Sequence, residues 1–374
     1  MLALFLLLSL LVQLVSGKKH YSNHRDRNHW DRNATIESAF NITDNRRISA
    51  KNIYLPKLFI LGAQKCATTT LFFLFEKHHP NVCSRQIKET GYFNNAKNVG
   101  WENGIEGFQS ILQYNETCQK LVGHRDVNVR THNIEATPRY FDSEDALLRM
   151  YYSYSRELRP KLRFILVLRE PVAREFSWYN HNARFCSRSI HDYIKARPEM
   201  AVEVKGGRAQ WNVTELCGER HCKPSCLTHA SRAVLGKEVE ALATFGESLA
   251  ANETENVVGT YSVHLKRWLN YFDRSQFFIA NYDTLLTNTT DTVERMTSFL
   301  GLPPFPQEAY ANDSIKMIHV NKAGVKTTLD CVSQSALHEY YEPYNQELYE
   351  LLESTRRPDS FEPAFPKFRP SLCS

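Results

Sequence analysis

Three times along this chain a short run of apolar residues leads into a segment with amphipathic spacing. Leu58–Leu61 precedes Thr69–Lys77, Leu162–Leu168 precedes Val172–Arg184, and Phe277–Ala280 precedes Thr292–Leu300. Runs that are apolar at every position suit strands buried on both faces, and the repeated strand, helix, strand, helix order implies parallel pairing. The expected fold class is α/β, a central parallel β-sheet flanked by helices. With 374 residues, 42% hydrophobic and 12% aromatic, the chain has apolar material for one large core or two modest ones, and disorder throughout is excluded. It carries no internal repeat and no long low-complexity tract, which favours one folded domain.

Residues 1–17 are almost wholly apolar and leucine-rich up to Ser16, and Gly17 precedes Lys18 and Lys19. The run is shorter than the ~18–20 residues of a membrane span, and Val15-Ser16-Gly17 offers small residues for cleavage, so it reads as a signal peptide. A short signal anchor is the alternative, and the one expected route to a membrane. Seven N-x-Ser/Thr sequons, at Asn33, Asn41, Asn115, Asn212, Asn252, Asn288 and Asn312, point to the secretory lumen as well. Nine cysteines suit an oxidising compartment; Cys217, Cys222 and Cys226 crowd one stretch that Cys186 can join, and disulfides are favoured there over a zinc site. Cys66 is the candidate for the odd, free thiol.

The polar residues 18–50 read as a glycosylated stem, with the folded domain expected over 51–357. A disulfide-stapled insertion is expected at 184–232, and a proline-rich tail over 358–374 on the surface. The net charge of +5, from 46 basic and 41 acidic residues, excludes a polycation of the kind that coats nucleic acid. Oligomeric state is not legible.

The segment Pro56-Lys-Leu-Phe-Ile-Leu-Gly-Ala-Gln-Lys-Cys-Ala-Thr-Thr-Thr-Leu71 reads as a buried strand, a tight loop and a helix start. Such a loop points successive backbone N–H groups and the helix dipole at one anion. Lys65 adds a full charge, and Thr68, Thr69 and Thr70 add hydroxyl donors. A nucleotide triphosphatase loop would place its lysine immediately before the helix hydroxyl, whereas Lys65 follows Gly62 by three residues. The spacing resembles the 5′-phosphosulfate loop of the sulfotransferase family, with Cys66 and Ala67 where that family commonly has glycine or threonine, and glycine. Alanine disfavours positive φ, so a left-handed loop residue at Ala67 would be strained yet is expected to be tolerated.

Leu162-Arg-Phe-Ile-Leu-Val-Leu-Arg-Glu-Pro-Val-Ala-Arg-Glu-Phe-Ser177 places Arg169 at a strand end and Ser177 eight residues on, in a helix opened by Pro171. A guanidinium and a hydroxyl so spaced can converge on one phosphate. In sulfotransferases the matching pair grips the donor 3′-phosphate. A magnesium-dependent kinase would place an aspartate at that strand end. Arg174 reads as a surface or ion-pair residue.

Lys88-Glu-Thr-Gly-Tyr-Phe93 resembles the Glu-x-x-Phe-Phe signature of glycosaminoglycan sulfotransferases, which implies Glu89 as general base, with Lys88 beside it. Ile134-Glu-Ala-Thr-Pro-Arg-Tyr-Phe141 resembles that group's Glu-Lys-Thr-Pro-Ser-Tyr-Phe, with Ala136 in place of the acceptor-side lysine and Arg139 as a nearby substitute. His319-Val-Asn-Lys-Ala-Gly-Val-Lys326 falls where the family has a basic loop over the donor, which makes Lys322 and Lys326 candidates for closing on the phosphates.

Together these resemblances, over roughly residues 57–352, imply a P-loop-like sulfotransferase fold. They also imply 3′-phosphoadenosine 5′-phosphosulfate (PAPS) as co-substrate without a metal, and an anionic glycan acceptor in the Golgi lumen. A tyrosylprotein sulfotransferase, a catalytically silent glycan binder of the same fold and a luminal nucleotide kinase remain as alternatives.

Overall fold

The structure, a computed structural model, describes residues 38, 42–52, 55–83, 88–94, 99–112, 132–183, 201–205, 208–211, 258–311, 331–357 and 360–370. The chain divides into two units, Met1–Asn41 and Ile42–Ser374, and the sheet, its helices and the candidate site all belong to the second. Residues 1–37, Cys186, Cys217, Cys222, Cys226, Lys322 and Lys326 lie outside the described residues.

In chain order the strands are β1 (Leu58–Gly62), β2 (Val82–Cys83), β3 (His132–Glu135), β4 (Arg163–Leu168), β5 (Ala201–Lys205), β6 (Arg208–Trp211) and β7 (Phe277–Asn281). Five of them form one sheet in the order β2-β3-β1-β4-β7, every pairing parallel, while β5 and β6 form a separate antiparallel pair within the expected insertion. Every residue of β1 and of β7 is buried, and in β4 all but Arg163. Because successive side chains point to opposite faces, burial of both parities means that both faces are covered.

The longer helices are α1 (Thr68–His78), α2 (Gly104–Ile111), α3 (Glu144–Ser153), α4 (Pro171–Ala183), α5 (Tyr261–Leu269), α6 (Thr289–Phe299) and α7 (Cys331–Ser354). The apolar runs seen in sequence become β1, β4 and β7, and the segments after them become α1, α4 and α6, with boundaries moved by at most a turn. The core between the layers is aromatic. Phe59 on β1 lies 6.0 Å from Phe164 on β4 and 6.5 Å from Phe93, and Phe164 meets Phe272 and Phe277 at 4.9 Å each.

Two parts of the chain depart from the sequence reading. The compact unit starts before Lys51: Ile48, 1% exposed, bridges Tyr154, and Arg46 donates to the carbonyls of Trp101 and Glu102. The tail after Arg357 is not confined to the surface. Glu362 and Phe368 are buried, because a carboxylate and an aromatic ring find partners on β7 and α7 that no local pattern announces. Among the described residues no helix is long and apolar enough to cross a membrane.

Candidate active site

A parallel sheet brings all its strand C-termini to one edge, and ligands of open α/β sheets bind in the crevice there. The loops after β1, β3 and β4 meet at this edge. Gly62 ends β1 against the loop after β3: a Cβ added to it would lie 2.9 Å from the Pro138 carbonyl oxygen and 3.0 Å from Phe141 Cβ. Phe141 in turn donates its amide to the Leu61 carbonyl at 3.2 Å. The two loops are therefore seated on each other, and only glycine fits at the seam.

From Gly62 the chain turns through Ala63–Ala67 into α1. The Ala63 amide remains in the sheet, donating to Val167 at 2.8 Å, and the Cys66 amide closes the turn on the Ala63 carbonyl at 3.2 Å. Lys65 (φ 70°) and Ala67 (φ 62°) are both left-handed. Ala67 caps α1 without a side-chain hydrogen bond, so the first-turn amides of α1 point outward as they do at any helix start. Thr68 is buried, Thr70 half-buried and Thr69 exposed; Lys65 is half-buried. This curled backbone, with lysine, threonine hydroxyls and a helix N-terminus, suits an anion with several oxygens.

Cys66 is a free thiol with no exposure, and its Sγ reaches the Gln64 carbonyl at 3.6 Å. Burial pushes the thiol above its usual pKa, against the opposing pull of Arg174 and Arg169. Its part in the loop is packing, since a neutral buried thiol is a poor nucleophile.

Arg169 directly follows β4, half-buried, with its guanidinium 4.7 Å from the centre of the Tyr282 ring and its carbonyl accepting from Tyr261 Oη at 2.9 Å. Glu170 caps α4, its carboxylate accepting from the amides of Val172 (3.0 Å) and Ala173 (2.7 Å). Burial raises its pKa, and His338 of α7 stands 3.6 Å away. Ser177 is half-buried in the second turn of α4. Arg174, read from sequence as a surface or ion-pair residue, has no exposure at all. It pairs with buried Glu175, which accepts from Tyr341 Oη of α7 at 3.0 Å. The helix turns that side inward, against α7.

Glu89 is exposed and left-handed (φ 70°), and the ammonium of the neighbouring Lys88 meets its carboxylate. The Lys88 side chain is 8% exposed, so it is not a free surface lysine. Among the described residues the non-glycine residues with positive φ are Lys65, Ala67 and Glu89. Such conformations cost on the order of 1–3 kcal/mol each and cluster where function needs them. Arg139 is exposed and stands 3.4 Å from buried Asp142, whose pKa is raised by burial.

One group of residues was not singled out in sequence. Glu135, at the end of β3 and 2% exposed, gathers four donors: the Thr90 amide (3.1 Å), Thr90 Oγ1 (3.0 Å), Thr137 Oγ1 (2.5 Å) and the Thr137 amide (3.1 Å). Burial raises its pKa against those four bonds. The available signal was only local, an acid two residues before Thr137-Pro138 in a short segment without an apolar run, since a carboxylate in that place must be hydrogen-bonded if buried. Among the described residues no cluster of His, Cys, Asp and Glu has the form of a metal site.

A family model described as the sulfotransferase domain matches residues 55–323. The chain is 26% identical over 327 residues to the bifunctional heparan sulfate N-deacetylase/N-sulfotransferase 4 of Mus musculus, covering 82% of this chain and 31% of that protein's length. It is 23% identical over 313 residues to the heparan sulfate glucosamine 3-O-sulfotransferase 5 of Homo sapiens, covering 79% of this chain and 72% of the relative. A solved sulfotransferase from Alicyclobacillus acidocaldarius aligns at 19% identity with a TM-score of 0.47, over 80% of this chain and 96% of that one.

Proposed function

This chain belongs to the sulfotransferase domain family and is a sulfotransferase, and on that premise we propose that it transfers a sulfuryl group from PAPS to a hydroxyl or amine of a glycosaminoglycan. The observation that carries the reading is the meeting, at one sheet edge, of the left-handed Lys65–Ala67 loop, Arg169 after β4 and the strained Glu89 segment tied to the end of β3.

In this reading the loop amides, Lys65 and the hydroxyls of Thr68, Thr69 and Thr70 hold the 5′-phosphosulfate, with Cys66 and Ala67 contributing backbone. Arg169 and Ser177 hold the 3′-phosphate, and Lys322 and Lys326 close over the donor. The acceptor oxygen or nitrogen attacks sulfur in line, and its proton passes to Glu89. The bond from sulfur to the bridging oxygen breaks, and its electron pair leaves on the phosphate of 3′-phosphoadenosine 5′-phosphate. Lys65 stabilises that growing charge. Positioning and electrostatics carry the step, and no metal is assigned to it.

Lys88 and Arg139 are assigned to the acceptor side, where an anionic glycan brings its own charge. The heparan sulfate enzymes among the relatives support a glycan acceptor, and the leucine-rich residues 1–17 and the sequons support a Golgi-lumen setting. The test is incubation of the purified chain with labelled donor and a panel of desulfated heparan sulfate, chondroitin, dermatan and acidic tyrosine peptides. Label in a glycan supports the reading. Label in the peptides alone makes the chain a tyrosylprotein sulfotransferase, and no label, with 3′-phosphoadenosine 5′-phosphate still bound, makes it a silent binder.

A further inference from the structure

We infer that Glu135 and Thr137 are positioning residues for this reaction, a buried pair that holds Glu89 at the place where the acceptor proton is taken. The inference rests on the reading of Glu89 as base.

Residues 88–93 belong to no strand or helix, so no periodic ladder sets their register. Yet four successive amides each have a side-chain acceptor. The Thr90 amide donates to Glu135 Oε1 (3.1 Å), Gly91 to Thr137 Oγ1 (3.1 Å), Tyr92 to Thr90 Oγ1 (3.2 Å) and Phe93 to Tyr140 Oη (3.3 Å). Three of the acceptors come from residues 135–140 at the end of β3, and Thr90 Oγ1 itself is joined to Glu135 (3.0 Å) and to Tyr140 Oη (3.0 Å). Below this rail Tyr92 and Phe93 are fully buried, with Tyr92 stacked on Phe108 at 4.0 Å and the Phe93 carbonyl accepting from Arg149 Nη1 at 2.7 Å.

The bonds are arranged for direction. A segment anchored only by aromatic packing can still rotate about its backbone, whereas four directed amides allow one orientation. Glu89 leaves this rail in the left-handed region, a conformation that persists only where its surroundings over-determine it. Apolar residues at 135 and 137 would fill the same space without the desolvation cost of a carboxylate. What the polar pair adds is the angle at which the next residue back projects from the sheet edge. Thr137 links the two halves: its hydroxyl takes the Gly91 amide and gives its own proton to Glu135.

The experiment uses the full chain, labelled PAPS and whichever acceptor of the panel the wild type labels. Thr137→Val keeps the shape and removes both bonds of the hydroxyl, Thr137→Ser keeps them, and Glu135→Gln places an amide among four donors. The expected result is a kcat reduced on the order of 10- to 100-fold in Thr137→Val and Glu135→Gln, the scale of misplacing a reacting group by about 1 Å. Affinity for 3′-phosphoadenosine 5′-phosphate by calorimetry stays within about twofold of wild type, and Thr137→Ser recovers most of the turnover. In single-turnover measurements the Glu89→Gln, Thr137→Val double variant is no slower than Glu89→Gln, because a residue acting through Glu89 has nothing further to lose.

Wild-type kcat in Thr137→Val and Glu135→Gln, with Glu89→Gln inactive, overturns the positioning inference and leaves the base. Wild-type kcat in Glu89→Gln removes the base itself. Additive losses in the double variant, or a fall in donor affinity matching the fall in kcat, reduce the pair to a structural role. Should Thr137→Val not fold, Glu135→Gln carries the same comparisons.

Discussion

Arg274 and Glu362, 88 residues apart, are joined fork to fork, with Arg274 Nη1 3.1 Å from one carboxylate oxygen and Nη2 2.5 Å from the other. The same carboxylate accepts the Ile279 amide at 2.5 Å, so the C-terminal tail is fastened to the outer side of β7 through one side chain. β7 is the edge strand beside β4, and its unpaired edge is a liability unless something covers it. Glu362→Ala takes the carboxylate from a nearly buried guanidinium, which keeps its bond to the Phe277 carbonyl, and strands a strand amide, and should cost about 3–5 kcal/mol, the range for breaking a buried pair. Urea unfolding measures it, and a loss under 1 kcal/mol would show that the tail is not part of the fold.

Ala67 occupies the left-handed region in the loop between β1 and α1. Ala67→Gly should relieve about 1–2 kcal/mol of strain and return about 0.4–1 kcal/mol through the freer unfolded chain. The net outcome is a small rise in melting temperature with donor affinity intact. A fall in melting temperature would mean that the methyl group packs favourably enough to outweigh its own backbone cost.

Arg169→Ala should act on the donor. Removing a charge-assisted hydrogen bond to a phosphate costs about 1.5–3 kcal/mol, which is roughly 10- to 150-fold in affinity for 3′-phosphoadenosine 5′-phosphate. Calorimetry reads it directly. Lys65→Ala should lose transfer more than binding, because the growing charge on the leaving phosphate is greatest in the transition state. Equal effects of both substitutions on binding alone would separate Lys65 from the chemical step.

Burial raises the Glu135 pKa, and this sets the sign of a pH effect. Between the unfolded value, about 4.3, and the raised native value the folded chain holds a proton that the unfolded chain has lost. Its stabilising contribution is therefore complete below the unfolded value and is lost as pH rises through the native one. Glu135→Gln cannot titrate, so the stability of wild type relative to Glu135→Gln should shrink as pH rises through that window and then level off. Urea midpoints across pH 4 to 8 test it, and a difference that grows with pH would mean that the four hydrogen bonds outweigh desolvation.

Cys66 should stay unlabelled by iodoacetamide in the folded protein at pH 8, and react once the chain is unfolded. The thiol has no exposure, and its pKa is raised by burial. Rapid labelling of the native chain would require the loop between β1 and α1 to open.

The strand runs of β1, β4 and β7 were legible because burial on both faces leaves unbroken apolar residues, and the helices after them because amphipathic spacing is local. β2 and β3 were not. Val82–Cys83 is two residues long, and His132–Glu135 carries polar residues at three of four positions, so neither presents a run. The phosphate-loop candidates lie within ten residues of one strand end, where sequence spacing is spatial spacing, and Arg169 follows from the same logic at β4.

Sequence by itself determined the class of sheet, the loop after β1 and the arginine after β4, since each depends on the order of residues along a single strand, turn and helix. Tertiary structure decided the left-handed turn at Lys65 and Ala67, the inward side of α4 that buries Arg174, the tail on β7 and the rail beneath Glu89. The physical reason is separation. Glu135 reaches Thr90 across 45 residues and Tyr341 reaches Glu175 across 166, and such bonds carry no period in the chain. They exist only once the parallel sheet has brought its strand ends to one edge.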